Sequence, residues 1–163
     1  MGKIVSNTGP LLHLSEINLI KIFKLFKHAF VPSAVAEELK KYSVHIPSLV
    51  IVLPLSAQGK DHVKILANQH NLDEGEAAAI ALALQEKAQI FLTDDLAARA
   101  VAKAYLLEVH GTIGIVLRAF KKKIIDKKLA LEKIDELYKN SSLFITLDLV
   151  NEVKEAIEKF QKE

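Results

Sequence analysis

The chain has 163 residues, half of them hydrophobic and 26% charged, which suits one globular domain with a sizeable core and is short for two. The absence of cysteine excludes disulfides, thiolate catalysis and zinc–sulfur sites. A net charge of +2 neither demands nor forbids a nucleic-acid partner.

No apolar run approaches the roughly 18 residues of a membrane span. The start, Met1-Gly-Lys-Ile-Val-Ser6, lacks the apolar region of a signal peptide, so the expected location is the cytoplasm, away from membranes. Lys, Glu and Ile are abundant, Trp is absent and Met occurs once, a composition that hints at a thermophile source.

Ile4-Val5 predicts a short strand that runs into a turn at Asn7-Thr-Gly-Pro10, with Pro10 in the first turn of a helix. Ser15 is a fitting N-cap for a second helix, in which Ile17, Ile20, Leu25 and Phe26 recur with Lys21, Lys24 and Lys27 between them. Ile22 and Phe23 fit either a dimer face or the core. His28 to Val31 reads as a second strand, followed by a helix from Pro32 to Leu39. Within that helix Glu38 lies toward the face of Val35 and Leu39, and Glu37 points elsewhere.

Ser48 to Leu53, bounded by Pro47 and Pro54, is the third strand, and Gly59 to Gln69 has a helical pattern. After a break at His70-Asn-Leu comes Asp73-Glu-Gly-Glu76, which opens a helix whose body to Leu84 is apolar all round and therefore buried. The bulky run Ile90-Phe-Leu92 predicts a buried strand of a parallel sheet, ending in Thr93-Asp94-Asp95. A helix from Leu96 to Tyr105, a strand from Leu106 to Val109 and a helix from Gly111 come next. The run Lys121-Lys-Lys123 reads as a solvated helix end or an RNA-facing patch. Two further helices, Ala130 to Tyr138 and Val150 to Lys162, complete the chain. Strands alternating with helices argue an α/β fold with a mainly parallel sheet covered on both faces. The expected organisation is one domain over 1–163, with a core over about 3–125 and a helical tail over 126–163.

Asn7, Glu38, Glu76, Asp94 and Asp95 stand at strand ends or helix starts, which parallel strands gather at one edge of the sheet, where ligands of such sheets bind. Several carboxylates in one shallow site repel one another and call for a cation. Oxygen ligands suit Mg²⁺ or Mn²⁺, and a metal-activated water makes phosphodiester hydrolysis the natural reaction class. Each acid also has a plainer explanation. Asp73 and Glu74 favour the helix dipole, Asp94 is a fitting N-cap for the next helix, and a helix acid such as Glu38 is usually solvated. Ser6 and Thr8 either position a phosphate or water or satisfy the turn. The six histidines, His13 among them, show no metal-ligand spacing and read as structural or exposed. No glycine-rich phosphate loop is present.

Four stretches together resemble the successive motifs of PIN domains: Ile4-Val-Ser-Asn-Thr-Gly-Pro-Leu-Leu-His-Leu, Val31-Pro-Ser-Ala-Val-Ala-Glu-Glu-Leu, Leu72-Asp-Glu-Gly-Glu-Ala-Ala-Ala-Ile-Ala-Leu-Ala and Phe91-Leu-Thr-Asp-Asp-Leu-Ala-Ala-Arg. Val109-His-Gly-Thr-Ile-Gly-Ile-Val-Leu-Arg-Ala resembles the prokaryotic DUF3368 subgroup, and the likeness runs from about Ile4 to Ile125 with a similar helical tail. The resemblance implies a three-layer α/β/α fold on a five-stranded parallel sheet and a Mg²⁺- or Mn²⁺-dependent ribonuclease site. Many PIN proteins are the toxin half of a toxin–antitoxin pair, often dimeric and silenced by a small antitoxin, and the leading expectation is cleavage of single-stranded RNA. Glu38, Glu76, Asp94 and Asp95 match the family's acids, and Thr93 matches the hydroxyl residue before the last two. Asn7 stands where the family has its first acid, so it can lend a carbonyl oxygen but no charge. That departure keeps a second reading open, a PIN-fold module that binds RNA or a protein without cutting. A phosphorylation-receiver domain shares only the α/β sheet and paired acids.

Overall fold

A computed structural model describes residues 2–160. Five strands form one parallel sheet: β1 (Lys3–Ser6), β2 (His28–Pro32), β3 (Val50–Leu53), β4 (Ile90–Leu92) and β5 (Glu108–His110). Their spatial order is β3-β2-β1-β4-β5, with Val5 level with Phe30 on one side and Phe91 on the other. The sequence-derived expectation of a PIN-like α/β/α architecture holds. A receiver domain is excluded, because the order of that flavodoxin-like class places strand three beside strand one.

Eight α-helices connect and flank the strands: α1 (Thr8–Glu16), α2 (Ser33–Lys41), α3 (Ala57–His70), α4 (Glu74–Gln85), α5 (Leu96–Ala104), α6 (Thr112–Lys121), α7 (Lys127–Asn140) and α8 (Leu147–Lys159). The helix with the apolar body, α4, packs across β1, β2 and β4, with α2, α3 and α5 against it. Its residues Ala77 to Ala83 are all buried, as an all-round apolar helix requires. α1 packs with α6, α7 rests on α6, and α8 on α7.

One predicted element is corrected. Ser15 does not start a helix; it lies in the last turn of α1, and the chain then turns at Asn18, whose φ is 54°. The turn leads into a 3₁₀ segment, Ile20–Leu25. Lys21, Lys24 and Lys27 are exposed while Ile22, Phe23, Leu25 and Phe26 are buried. The lysines recur every third residue, the period of a 3₁₀ helix rather than 3.6. Ile22 and Phe23 are core, not a dimer face.

The chain's switch point sets the place of the site. β1 feeds outward to β2 and β3, and the chain then returns to β4 on β1's other side. The crevice beyond the carboxyl ends of β1 and β4 is where open α/β sheets bind ligands. Asn7 comes directly after β1, and Thr93, Asp94 and Asp95 come directly after β4.

Candidate acidic site

A cleft of about 550 Å³ opens at that crevice, lined by Asn7, Thr8, His13, Glu38, Glu76, Thr93, Asp94 and Asp95 among others. Each of the five proposed ligands reaches it from a different local structure. Asn7 is the N-cap of α1; its Oδ1 accepts from Thr8 N at 2.9 Å, and its Nδ2 donates to Thr93 Oγ1 at 3.3 Å. Thr93 is wholly buried, and its hydroxyl oxygen also accepts from Asp95 N at 3.2 Å. The buried hydroxyl thus ties the ends of β1 and β4 together.

Glu38 approaches from α2, where Oε2 accepts from the Thr8 hydroxyl at 2.9 Å. It lies over the start of α4, so close that a Cβ at Gly75 would stand 3.1 Å from Oε2. Glu76 forms a reciprocal capping box with Asp73: Glu76 N donates to Asp73 Oδ1 at 2.7 Å, and Asp73 N donates to Glu76 Oε2 at 3.0 Å. Burial pushes the Glu76 carboxyl up from its ordinary range; the Asp73 backbone N–H works against that shift, and the carboxylates of Asp73, Asp95 and Glu38 add to it. Asp95, not Asp94, is the N-cap of α5, with Oδ1 accepting from Ala98 N at 2.7 Å. Glu74 faces a separate depression beside Pro32 and Lys64. Ser6 is buried, and its hydroxyl donates to the carbonyl of Asn7 at 2.9 Å, so it shapes the turn without lining the cleft.

Asp94 is held differently. Its Oδ1 accepts from Thr112 N at 2.7 Å, and its Oδ2 accepts from the Thr112 hydroxyl at 2.5 Å and from His13 Nδ1 at 2.7 Å. The N-cap of α6 is Gly111, which has no side chain to satisfy the first N–H groups of the helix. Asp94 supplies that oxygen from the neighbouring strand. Burial alone would raise its carboxyl. The hydrogen bonds from His13 and Thr112, with the charge of His13, outweigh that and lower it.

The family model for DUF3368, a PIN domain, matches residues 3–159. The chain belongs to this PIN-domain family. The match runs beyond Ile125 into α8. Comparison with curated proteins finds no match. PIN domains are a nuclease-like family, generally hydrolases that use divalent metals.

The donor chemistry of this PIN domain fits a hard cation. Glu38, Glu76 and Asp95 line one cleft, and among the described residues none of them forms a salt bridge with Lys, Arg or His. The same residues do not form a closed cage: among the described residues, no three His, Cys, Asp or Glu side chains are grouped to hold an ion. Mg²⁺ needs no such cage, since it keeps several waters and takes one or two carboxylates.

Two residues of the site escaped the sequence reading. His13, read as structural or exposed, is buried in the cleft, where it holds Asp94. Its signal was the spacing of four from Gly9, which puts both on one face of α1; a Cβ at Gly9 would stand 3.3 Å from Asp94 Oδ2. Thr112 had no signal beyond following a glycine at a helix start. Among the described residues no helix is long and apolar enough to cross a membrane.

Proposed function

We propose that the protein is a Mg²⁺- or Mn²⁺-dependent endoribonuclease that hydrolyses phosphodiester bonds of single-stranded RNA. The observation that carries this reading is the trio Glu38, Glu76 and Asp95, which with Asp73, the capping partner of Glu76, line one open cleft at the switch point and have no cationic partner among the described residues. These three would hold the ion, and Asn7 would add the remaining lone pair of its amide oxygen. The bound metal would activate a water and neutralise a phosphate oxygen. Glu76 lines the cleft beside Asp95, where its carboxyl, pushed up from its ordinary range by burial, is placed to take the proton of the attacking water. Asp94 contributes by position: tied to Thr112 and His13, it fixes the loop that presents Asp95. Thr93 and Thr8 orient Asn7 and Glu38 through their hydroxyl hydrogen bonds.

The test is cleavage of single-stranded RNA by the purified protein with Mn²⁺, against the same protein with chelator. Asp95→Asn and Glu76→Gln are the informative variants. Asn still caps a helix and Gln still completes a capping box, so each removes a charge and leaves the fold's contact in place. The reading expects each to lose about 100-fold or more in rate, the several kcal/mol that metal catalysis supplies. Activity that survives chelation would sink it.

A second reading, a PIN-fold module that binds RNA or a protein without cutting, draws on one observation. The amide of Asn7 is engaged at both ends and brings no charge. The variant Asn7→Asp separates the two: a large gain in Mn²⁺ affinity and nuclease activity favours the binding module, and no change in an already active protein favours the nuclease. The nuclease reading extends to a cytoplasmic, homodimeric toxin restrained by an antitoxin. Growth arrest on expression, relieved by co-expression of a small antitoxin, is the expected result, and its absence contradicts that extension.

A further inference from the structure

A second groove, of about 390 Å³, runs beside the acidic cleft and shares Asp94, Leu96, Leu143 and Phe144 with it. Its volume lies within the range of about 300–1,000 Å³ typical of small-ligand sites. It contains an unusual pair of side chains: Arg99 on α5 and Phe144 in the link between α7 and α8.

Arg99 is a half-buried cation short of partners. A guanidinium has five N–H donors. Here Nη2 donates to the carbonyl of Thr93 at 3.3 Å, and Nε is buried with no partner among the described residues. None of the described carboxylates forms a salt bridge with it. The nearby Asp94 is already committed to Thr112 and His13. A sheltered charge without a counter-ion is costly, and an anionic ligand would offset that cost. Gly111 lets the guanidinium lie close against the start of α6: a Cβ there would stand 2.7 Å from Arg99 Nη2 and 2.8 Å from Asp94 Oδ1. Phe144 is 91% exposed and Leu96 is 78% exposed, so both rim the groove without being covered by the chain.

We propose that this groove seats one nucleotide of single-stranded RNA beside the acidic cleft, its phosphate on Arg99 and its base stacked on Phe144. A guanidinium with free donors matches phosphate, and an exposed aromatic ring takes the face of any base. The base must be unpaired, because stacking on a side chain requires it to leave the helix. Arg99 and Phe144 are binding residues and stand apart from the acids proposed to hold the metal. The inference rests on the nuclease reading, and it names where the strand continues past the cleavage point.

The test is fluorescence anisotropy of a short labelled oligouridine RNA in EDTA, where no cutting intervenes, alongside KM for Mn²⁺-supported cleavage. Phe144→Ala removes an exposed ring and leaves the core alone. It is expected to weaken binding and raise KM about 5- to 150-fold, the range for loss of one stacked base. Phe144→Trp restores both. Arg99→Gln is expected to lower the slope of log affinity against log salt by about 0.7, the value for one phosphate of a single strand. A duplex of the same length is expected to gain nothing from Phe144. Wild-type affinity and KM in both Phe144→Ala and Arg99→Gln would overturn the proposal and leave the nuclease reading standing. A wild-type protein that neither binds nor cuts RNA would overturn both and give the apolar rim to a protein partner.

Discussion

Asp94 and Asp95 are adjacent in the chain and line the same cleft, yet they are held in different ways. Asp94 sits in a corner where every charge is answered: Thr112 and His13 occupy both of its oxygens, and its carboxyl is held below its ordinary value. Asp95 belongs to an open face with Glu38 and Glu76, where burial, and after it the neighbouring carboxylates, raise the Glu76 carboxyl and no described basic side chain neutralises the three. The difference teaches that two acids after one strand can be held in quite different ways. A carboxylate satisfied by its own protein stabilises the fold, and one left unsatisfied is available to a cation.

The comparison is broken most severely by removing Asp94. Asp94→Ala strands the Thr112 N–H, its hydroxyl and the His13 imidazole, and is expected to cost about 3–5 kcal/mol in denaturant unfolding, the usual loss when one member of a buried charged pair is removed. An Asp94→Ala protein as stable as wild type would show that the corner is not structural. Asp94→Asn keeps one acceptor and is expected to lose about 1–3 kcal/mol.

Asp94 and Glu76 give pH dependences of opposite sign. Asp94 has a folded pKa below its ordinary value of 3.8, so its contribution is present above that value. It is lost as pH falls through the lowered folded pKa. Wild type is therefore expected to lose more stability than Asp94→Asn on acidification below about pH 4, and parallel curves for the two would contradict the assignment. Glu76 runs the other way. Its raised folded pKa means that stability tied to its protonated form is lost as pH rises through that pKa. Without metal, Glu76→Gln is then expected to be slightly more stable than wild type at neutral pH, by about 0.5 kcal/mol or less. A clear destabilisation there would mean that Glu76 is held by its capping box alone.

Much of this was legible in the residues, for physical reasons that can be named. The run Ile90 to Leu92 can only be buried on both faces, and α4 has no polar side to show to water. A parallel sheet follows from such strands, and its carboxyl edge follows from the acids beyond them. The 3₁₀ segment was not legible, because Ser15 is a fitting N-cap and the segment's apolar residues also recur at near-helical spacing. Roles within the cleft were not legible. Which of two neighbouring acids is tied down depends on Thr112 and His13, which lie 18 and 81 residues from Asp94 and meet it only in the fold. Arg99 and Phe144 were hidden likewise, since a cation short of partners and an uncovered ring are properties of packing.

The most direct test of the central claim is calorimetric titration of Mn²⁺ into wild type, Glu76→Gln, Asp95→Asn and Asp94→Asn at neutral pH. The account predicts that Glu76→Gln and Asp95→Asn each bind at least about tenfold more weakly, one lost charge–cation contact of roughly 1.4 kcal/mol or more. Asp94→Asn, refolded to the same circular dichroism, is expected to bind within a few-fold of wild type. Equal binding by Glu76→Gln, Asp95→Asn and wild type, with binding abolished only in Asp94→Asn, would contradict it.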